Sequence, residues 1–169
     1  DVALRWEPLL MGMAAITILY GNLCALPQRN LKRLLGYSSI AHAGYLMMGI
    51  AAMSLNGSSA ILYYLGGYLF TVIAAFMVII LVMQHTGAED IIQLAQLHQR
   101  APGLAGVLSL AMVSLAGIPP LAGFFGKFLL FKAVLEQATV HSAYYLLVAI
   151  AIIGVVISLV YYLGVLRTL

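Results

Sequence analysis

The chain has 169 residues, of which 64% are hydrophobic and only 8% are charged. Soluble domains carry about 25% charged residues, so this composition leaves too little polar surface to cover a water-exposed globule. It excludes an ordinary soluble enzyme, a disordered chain and a nucleic-acid-binding protein. The net charge of +3 is better explained by membrane topology than by an acidic partner. Cys24 is the one cysteine, so the sequence offers neither a disulfide framework nor a Cys/His metal cluster.

The hydrophobic runs predict an all-α, polytopic membrane protein with one transmembrane domain over residues 1–169. A bilayer core takes about 20 apolar helical residues. Five spans of that kind are expected, at residues 8–26, 34–55, 60–83, 104–136 and 142–166. Turn-forming residues at 56–59 separate the second span from the third. Because the chain begins at Asp1, we expect it to be an internal or C-terminal part of a larger membrane protein.

The long polar connection at residues 84–103 holds Glu89 and Asp90. Within it, Ile91, Leu94 and Leu97 are spaced three residues apart, which predicts a short helix on the membrane surface.

Positive charges predict the orientation of the spans. If every span crosses once, residues 27–33, 84–103 and 167–169 share one side of the membrane. That side carries Arg29, Lys32, Arg33, Arg100 and Arg167, whereas the other side carries Arg5 alone. Basic residues favour cytoplasmic connections, so we assign these three segments to the cytoplasm.

The fourth hydrophobic region is too long and too interrupted to form one straight helix. At about 1.5 Å per residue, residues 104–136 would extend about 50 Å, whereas the hydrocarbon core is about 30 Å thick. Pro119 and Pro120 lack a backbone N–H, and Pro119 disfavours helical geometry at Ile118. A break at residues 117–120 is therefore expected. Broken helices in transporters expose carbonyl groups that mark ion paths.

Two lysines lie in this region. A lysine within a span is costly and is by default a functional candidate, so Lys127 is a candidate proton carrier. The alternative for Lys127 is a side chain that extends to the lipid headgroups. Lys132 is closer to the end of the region and four residues before Glu136, which favours an ion-paired lysine at the interface over a proton relay.

His42 and Tyr68 are polar groups inside the second and third spans. Histidine titrates near neutral pH, so His42 is a candidate relay, and a buried histidine bonded to a neighbouring helix is the alternative. A structural hydrogen bond is favoured over a relay role for Tyr68. Gly44, Gly66 and Gly67 are expected to let helices pack closely.

Two segments, ALPQRNLKRLLGYSSIAHAGYLMMG (residues 25–49) and SLAGIPPLAGFFGKF (residues 114–128), resemble the antiporter-like membrane subunits of respiratory complex I. Within that family the similarity is greatest to subunit N of the bacterial NADH:quinone oxidoreductase, the counterpart of mitochondrial subunit 2. Tyr68 in YLGGYLF supports subunit N, because sister subunits have a histidine near this position. The resemblance extends over essentially the whole chain.

The resemblance implies the second of two inverted five-helix repeats, and it matches Lys127 to the titratable lysine on the family's discontinuous helix. It implies a proton-translocating subunit of a bacterial inner membrane, with the other membrane-arm subunits, the lipid bilayer and protons as partners. No cofactor or metal is expected in this chain; NADH, FMN, iron–sulfur clusters and quinone are implied in other subunits. The first repeat, with its own glutamate and lysines, is not in this sequence, so a complete proton path is not expected within it.

Two other functions remain open. One is a subunit of a multisubunit Na⁺/H⁺ antiporter or membrane-bound hydrogenase, which share a broken helix with a GKF-type motif. The other is a structural subunit that the arm needs for assembly and that has no proton path of its own.

Overall fold

A computed structural model of the chain describes residues 3–87, 90–139 and 141–169. In these ranges the chain is almost entirely helical, and it forms no strand beyond an isolated bridge between Asn30 and Asp90. The α-helices are α1 (Ala3–Ala25), α2 (Leu31–Ala51), α3 (Leu55–Thr86), α4 (Leu97–Arg100), α5 (Pro102–Ala116), α6 (Ala122–Gln137) and α7 (Ala143–Thr168). The predicted all-α class is confirmed.

Among the described residues, three helices are long and apolar enough to cross a membrane. They cover Trp6–Ala25, Leu55–Gln84 and Ala143–Thr168. In contrast, α5 has 15 residues and α6 has 16. At about 1.5 Å per residue each measures about 23 Å, which is less than the thickness of about 30 Å of a hydrocarbon core. The long fourth hydrophobic region is thus two short helices separated by residues 117–121.

The second and third helices meet at a different place from the one expected. α2 ends at Ala51 and α3 begins at Leu55, so the predicted turn at residues 56–59 is wrong. The side chain of Ser54 accepts a hydrogen bond of 3.0 Å from the backbone N–H of Gly57. This bond caps α3 and places residues 56–59 in its first turns. The chain reverses instead around Met53, whose φ is 43°.

The connection after α3 does not form the single short helix that the spacing predicts. A 3-10 turn at Ile91–Leu94 is followed by α4, and Gln96 interrupts them with a φ of 63°. Leu94 and Leu97 are buried in the helical core. Glu89, one of the acidic residues of this connection, lies outside the described residues. The side chain of Arg5, the one cation expected on the opposite side of the membrane, also lies outside the described part of the chain.

The three segments predicted to share one side of the membrane do lie at one end of the molecule. The backbone N–H of Ile91 donates to the carbonyl oxygen of Arg29 at 2.9 Å, joining the first connection to the third. The backbone N–H of His98 donates to the carbonyl oxygen of Leu169 at 3.3 Å, which joins the same end to the chain terminus. The connections that carry the basic residues are therefore next to one another.

Small residues allow the closest contacts between helices, although one of the expected positions makes no such contact. α1 packs along α2, where a Cβ added at Gly44 would lie 2.8 Å from the backbone nitrogen of Ile18. α6 packs against α3, and a Cβ at Gly67 would lie 3.1 Å from that of Ala122. Gly66 has no atom within 4 Å of an added Cβ, so the expected close packing at Gly66 is wrong. Gly66 is on the face of α3 that points away from the other helices.

Candidate functional site

Lys127 is the buried cation of the described chain. It lies in the second turn of α6, and only 4% of its surface is exposed. A lysine that extended to the headgroups would have an exposed ammonium, so the structure does not support that alternative. The side chain points instead across the break towards the C-terminal end of α5.

The end of α5 presents carbonyl groups that need partners from outside the helix. The last four carbonyl oxygens of an α-helix have no partner within the helix. Two are satisfied by the chain as it leaves the helix: Gly117 N–H donates to Ser114 at 3.0 Å, and Ile118 N–H donates to Val113 at 3.2 Å. This pair of bonds is a Schellman motif, and it requires the left-handed conformation that Gly117 adopts with a φ of 83°.

Lys127 satisfies the other two carbonyl oxygens at the end of α5. Its Nζ donates to the carbonyl oxygen of Leu115 at 2.8 Å and to that of Ala116 at 3.3 Å. The C-terminal end of a helix carries partial negative charge, so an ammonium is stabilised there. The Nζ atom also lies 5.5 Å from the ring centroid of Tyr45, a distance suited to a cation–π interaction. These contacts offset the cost of burying the side chain away from water.

His42 lies in α2 with 4% of its surface exposed. Its Nδ1 is hydrogen-bonded to the hydroxyl of Tyr64 on α3, and its Nε2 lies 3.2 Å from the hydroxyl of Tyr162 on α7. Its ring also contacts that of Tyr45 edge-on, with centroids 6.2 Å apart. His42 and Lys127 therefore both lie next to the ring of Tyr45.

Tyr68 is half-buried on α3 beside His42. The two ring centroids are 4.7 Å apart, but the hydroxyl of Tyr68 donates to Ser39 Oγ at 2.7 Å rather than to the imidazole. Its hydroxyl thus joins α3 to α2.

Lys132 is separate from this cluster. It is exposed, and it lines a cavity of about 350 Å³ with Asn56, Tyr63 and Glu136. The carboxylate of Glu136 accepts a hydrogen bond of 2.8 Å from the side-chain amide of Asn56. Within the described ranges no ion pair joins Lys132 to Glu136, and the exposed position of Lys132 agrees with a side chain at the interface.

Three further tyrosines, which the sequence pattern does not single out, contact the predicted groups. Tyr45, Tyr64 and Tyr162 are buried and link α2, α3 and α7 around His42. In an apolar sequence they look like ordinary aromatic core residues. Their position in the middle of a span could have indicated the cluster, since a buried tyrosine hydroxyl needs a hydrogen-bond partner.

The cluster combines a buried ammonium, a buried imidazole and several phenol groups in an otherwise apolar bundle. Such groups can hold and move a proton where water is excluded. In the parts of the chain that the structure describes, no group of three His, Cys, Asp or Glu side chains is placed to hold a metal ion.

Comparison with known proteins identifies the family. The family described as NADH:quinone oxidoreductase/Mrp antiporter, transmembrane, matches residues 2–158. The chain belongs to this family. The resemblance predicted from the two sequence motifs is therefore confirmed.

One curated relative, NADH-quinone oxidoreductase subunit N 2 of Acidobacterium capsulatum, is 44% identical over 96% of the chain and 32% of its own length. The chain thus spans about a third of the length of the curated relatives it matches.

Two solved structures show the same fold. Respiratory complex I of Thermus thermophilus with bound Aureothin is 33% identical with a TM-score of 0.76, over 95% of this chain and 35% of the matched chain. The Mrp complex of a Dietzia species is 25% identical with a TM-score of 0.86, over 98% of this chain and 30% of the matched chain. Another structure of Thermus thermophilus complex I, with bound NADH, is 27% identical with a TM-score of 0.84, so backbone similarity does not separate complex I from the Mrp complex. The fold alone does not separate members of the NADH:quinone oxidoreductase/Mrp antiporter family.

Proposed function

We propose that this chain forms the second antiporter-like repeat of a subunit of the N type, and that it translocates protons in the membrane arm of a NADH:quinone oxidoreductase. The observation that carries the proposal is the buried Lys127 ammonium on the open end of α5. The sequence identity of 44% to a subunit N relative supports complex I over the other membrane complexes of the family.

The proposed architecture has five crossings, with α5 and α6 together as the discontinuous fourth. α2 is the remaining crossing, because its cations Lys32 and Arg33 lie in its first turn, where they reach the headgroup region. The basic end of the bundle faces the cytoplasm of a bacterium, and the whole lies in the inner membrane. The five crossings correspond to one half of an inverted-repeat fold.

The proposed mechanism is a change of charge on Lys127. When protonated, Lys127 is held by two carbonyl groups and by the dipole of α5. When Lys127 gives up its proton towards the periplasm, the attraction between its charge and the helix end is lost, and the hold on α5 weakens. His42 is the proposed neighbouring relay. Tyr68 is a weaker candidate because its hydroxyl bonds to Ser39, and Lys132 is the weakest because it is exposed and outside the cluster.

The redox chemistry is proposed to occur in other subunits. NADH, FMN, iron–sulfur clusters and quinone would be bound there, and this chain would belong to the translocase without containing a redox centre. Its partners would be the other membrane-arm subunits, the bilayer and protons.

A second candidate function is proton exchange in a multisubunit Na⁺/H⁺ antiporter. The backbone similarity to the Mrp complex, with a TM-score of 0.86, favours keeping it. It predicts proton movement that needs a sodium gradient and continues without NADH oxidation. A membrane-bound hydrogenase subunit and an assembly subunit without a proton path complete the alternatives.

The test is Lys127→Met in the assembled complex, reconstituted in vesicles. We expect proton pumping to fall at least tenfold per NADH oxidised, because methionine fills the space but cannot carry charge. Lys132→Met is the matched control, since it removes the same charge from the same helix outside the cluster, and it should pump normally. Full pumping by an assembled Lys127→Met complex would overturn the proposal.

A further inference from the structure

A cavity of about 400 Å³ opens between the end of α1 and the start of α2, at the end of the molecule that carries the basic connections. Gln28 lines it from the connection, and Arg33, Gly36, Tyr37 and Ile40 line it from α2. The residues of α2 follow the three- and four-residue spacing of one helix face. A Cβ added at Gly36 would meet no atom within 4 Å, so the space between Arg33 and Tyr37 is open. The volume is that of a small-molecule site.

The side chains around this cavity offer hydrogen-bond donors. A guanidinium carries five N–H groups, and the side chain of Arg33 has no partner in the described part of the chain. Gln28 donates one of its two amide hydrogens to a carbonyl oxygen of α1 at 2.9 Å, which leaves the other hydrogen free. The ring of Tyr37 packs edge-on against that of Tyr20, and its hydroxyl forms no hydrogen bond within the described ranges. The cavity therefore suits a ligand that is rich in acceptor oxygens.

The charge around the cavity is positive. Lys32 and Arg33 lie in the first turn of α2, which contains no acidic residue. Asp90 is joined to Asn30 by a backbone bridge, but it does not line the cavity. The start of a helix carries partial positive charge, so the two cations add to the field of the helix instead of offsetting it. An anion in the cavity would neutralise this charge.

An exposed apolar strip continues from the cavity along the two helices. Ile40 lines the cavity two turns beyond Arg33, and Tyr20 of α1 lies beside Tyr37 with 54% of its surface exposed. Ile16, one turn further along α1, is 70% exposed. A cation at headgroup depth beside an apolar strip matches the two parts of a phospholipid, its phosphate and its acyl chain. A soluble phosphate would leave the strip uncovered.

We propose that this cavity binds the phosphate of an anionic phospholipid, whose acyl chain lies along α1 and α2. Arg33 is the main ligand, because a guanidinium donates to two phosphate oxygens at once, and Gln28 and Tyr37 supply further donors. A zwitterionic lipid fits less well, since its amine would bring a third cation close to Lys32 and Arg33. The site does not rest on the proposed function, because lipid binding needs neither Lys127 nor proton transport.

The test is photolabelling of the intact complex in phosphatidylcholine vesicles. Two trace lipids carry the same photoreactive acyl chain, one on phosphatidylglycerol and one on phosphatidylcholine, and mass spectrometry measures the label on α1 and α2. We expect about tenfold more label from phosphatidylglycerol in the wild type, and a ratio near one in Arg33→Gln. Arg33→Lys should lie between them, because an ammonium binds phosphate as a point charge. Arg29→Gln is the matched control, since it removes an exposed arginine that does not line the cavity.

A second variant, Gly36→Leu, fills the open space and keeps every charge, so it should also lower the ratio. The wild-type ratio decides the inference even if a variant does not assemble. Equal labelling by the two lipids would overturn it, as would equal losses in Arg29→Gln and Arg33→Gln. An unlabelled α1 and α2 would mean that another protein segment covers the cavity, which also overturns it. Excess sn-glycerol 3-phosphate should not compete; competition would reassign the site to a soluble phosphate.

Discussion

The Nζ atom of Lys127 lies 2.8 Å from the carbonyl oxygen of Leu115, across the break between α6 and α5. The two residues belong to different helices, so the charge of one side chain affects the stability of another helix's end. A hydrogen bond from an ammonium is about twice as strong as one between neutral groups. Protonation of Lys127 is thus expected to tighten the contact between α5 and α6.

Gly117 allows this contact, and Gly117→Ala should weaken it. The φ of 83° at Gly117 costs any residue with a Cβ about 1–2 kcal/mol. An added Cβ would also lie 3.1 Å from Cδ of Lys127 and 3.3 Å from its Nζ, so the ammonium has to shift. We expect a lower Tm of the purified complex and less pumping per NADH oxidised.

Gly106→Ala is the matched control for Gly117→Ala. Gly106 lies in α5, the helix that Gly117 terminates, and an added Cβ there meets no atom within 4 Å. Alanine improves helix propensity, so this control should leave Tm unchanged or raise it slightly. Equal effects of the two substitutions would contradict the role assigned to Gly117.

The lysine of the candidate site could be predicted from sequence, but its partners could not. A lysine in an apolar span is conspicuous in composition alone, and the two prolines mark the break beside it. The partners of Lys127 are backbone carbonyls of Leu115 and Ala116, which every residue has. Their availability depends on the geometry of the end of α5, and no side chain signals it.

The tyrosines around His42 were missed for a related reason. Tyr64 and Tyr162 lie far apart in the chain, and only the packing of α3 and α7 against α2 brings their hydroxyls to one imidazole. The turn at residues 56–59 was misplaced because its composition suits both a turn and a helix start. One hydrogen bond from Gly57 to Ser54 decides between them.

The start of α3 can be tested with Ser54→Ala. Loss of the cap should destabilise the helix by about 1 kcal/mol, because the N–H of Gly57 loses its acceptor. Ser54→Asp keeps an acceptor and should be close to the wild type. Ser59→Ala, which alters an exposed serine in the predicted turn, serves as the control. Thermal unfolding of the purified complex measures all three, and a larger effect at Ser59 would place the boundary where the sequence suggested.

Tyr68→Phe tests whether the Tyr68 hydroxyl is structural. The hydrogen bond of 2.7 Å to Ser39 is half-buried, and its loss should cost about 0.5–1.5 kcal/mol of stability. The ratio of protons pumped to electrons transferred should remain that of the wild type, because neither Lys127 nor His42 loses a hydrogen bond.

A double-mutant cycle with Ser39→Ala separates the two roles of Tyr68. The free energy of unfolding should fall by less in the double variant than the sum of the two single losses, because both changes remove the same hydrogen bond. If Tyr68→Phe abolishes pumping in an assembled complex while Ser39→Ala does not, Tyr68 is a relay and the structural role is insufficient.

Gly44→Ala tests packing separately from proton transfer. An added Cβ would lie 2.8 Å from the backbone nitrogen of Ile18 and 3.1 Å from the carbonyl oxygen of Ala14, so α1 and α2 must move apart. Backbone shifts of this kind cost about 1–3 kcal/mol. We therefore expect less assembled complex on native gels and a lower Tm.

Gly66→Ala is the control for Gly44→Ala, since the space around Gly66 is open and substitutions at such sites stay within about 0.5 kcal/mol. The Gly44→Ala complex that does assemble should pump at the wild-type ratio, because His42 and Lys127 keep their hydrogen bonds. The assembly-subunit hypothesis differs at two places: it predicts full pumping without the Lys127 charge, and loss of assembly at Gly66 as well as at Gly44. Normal assembly of Gly44→Ala would show that α1 and α2 separate more easily than their contact indicates.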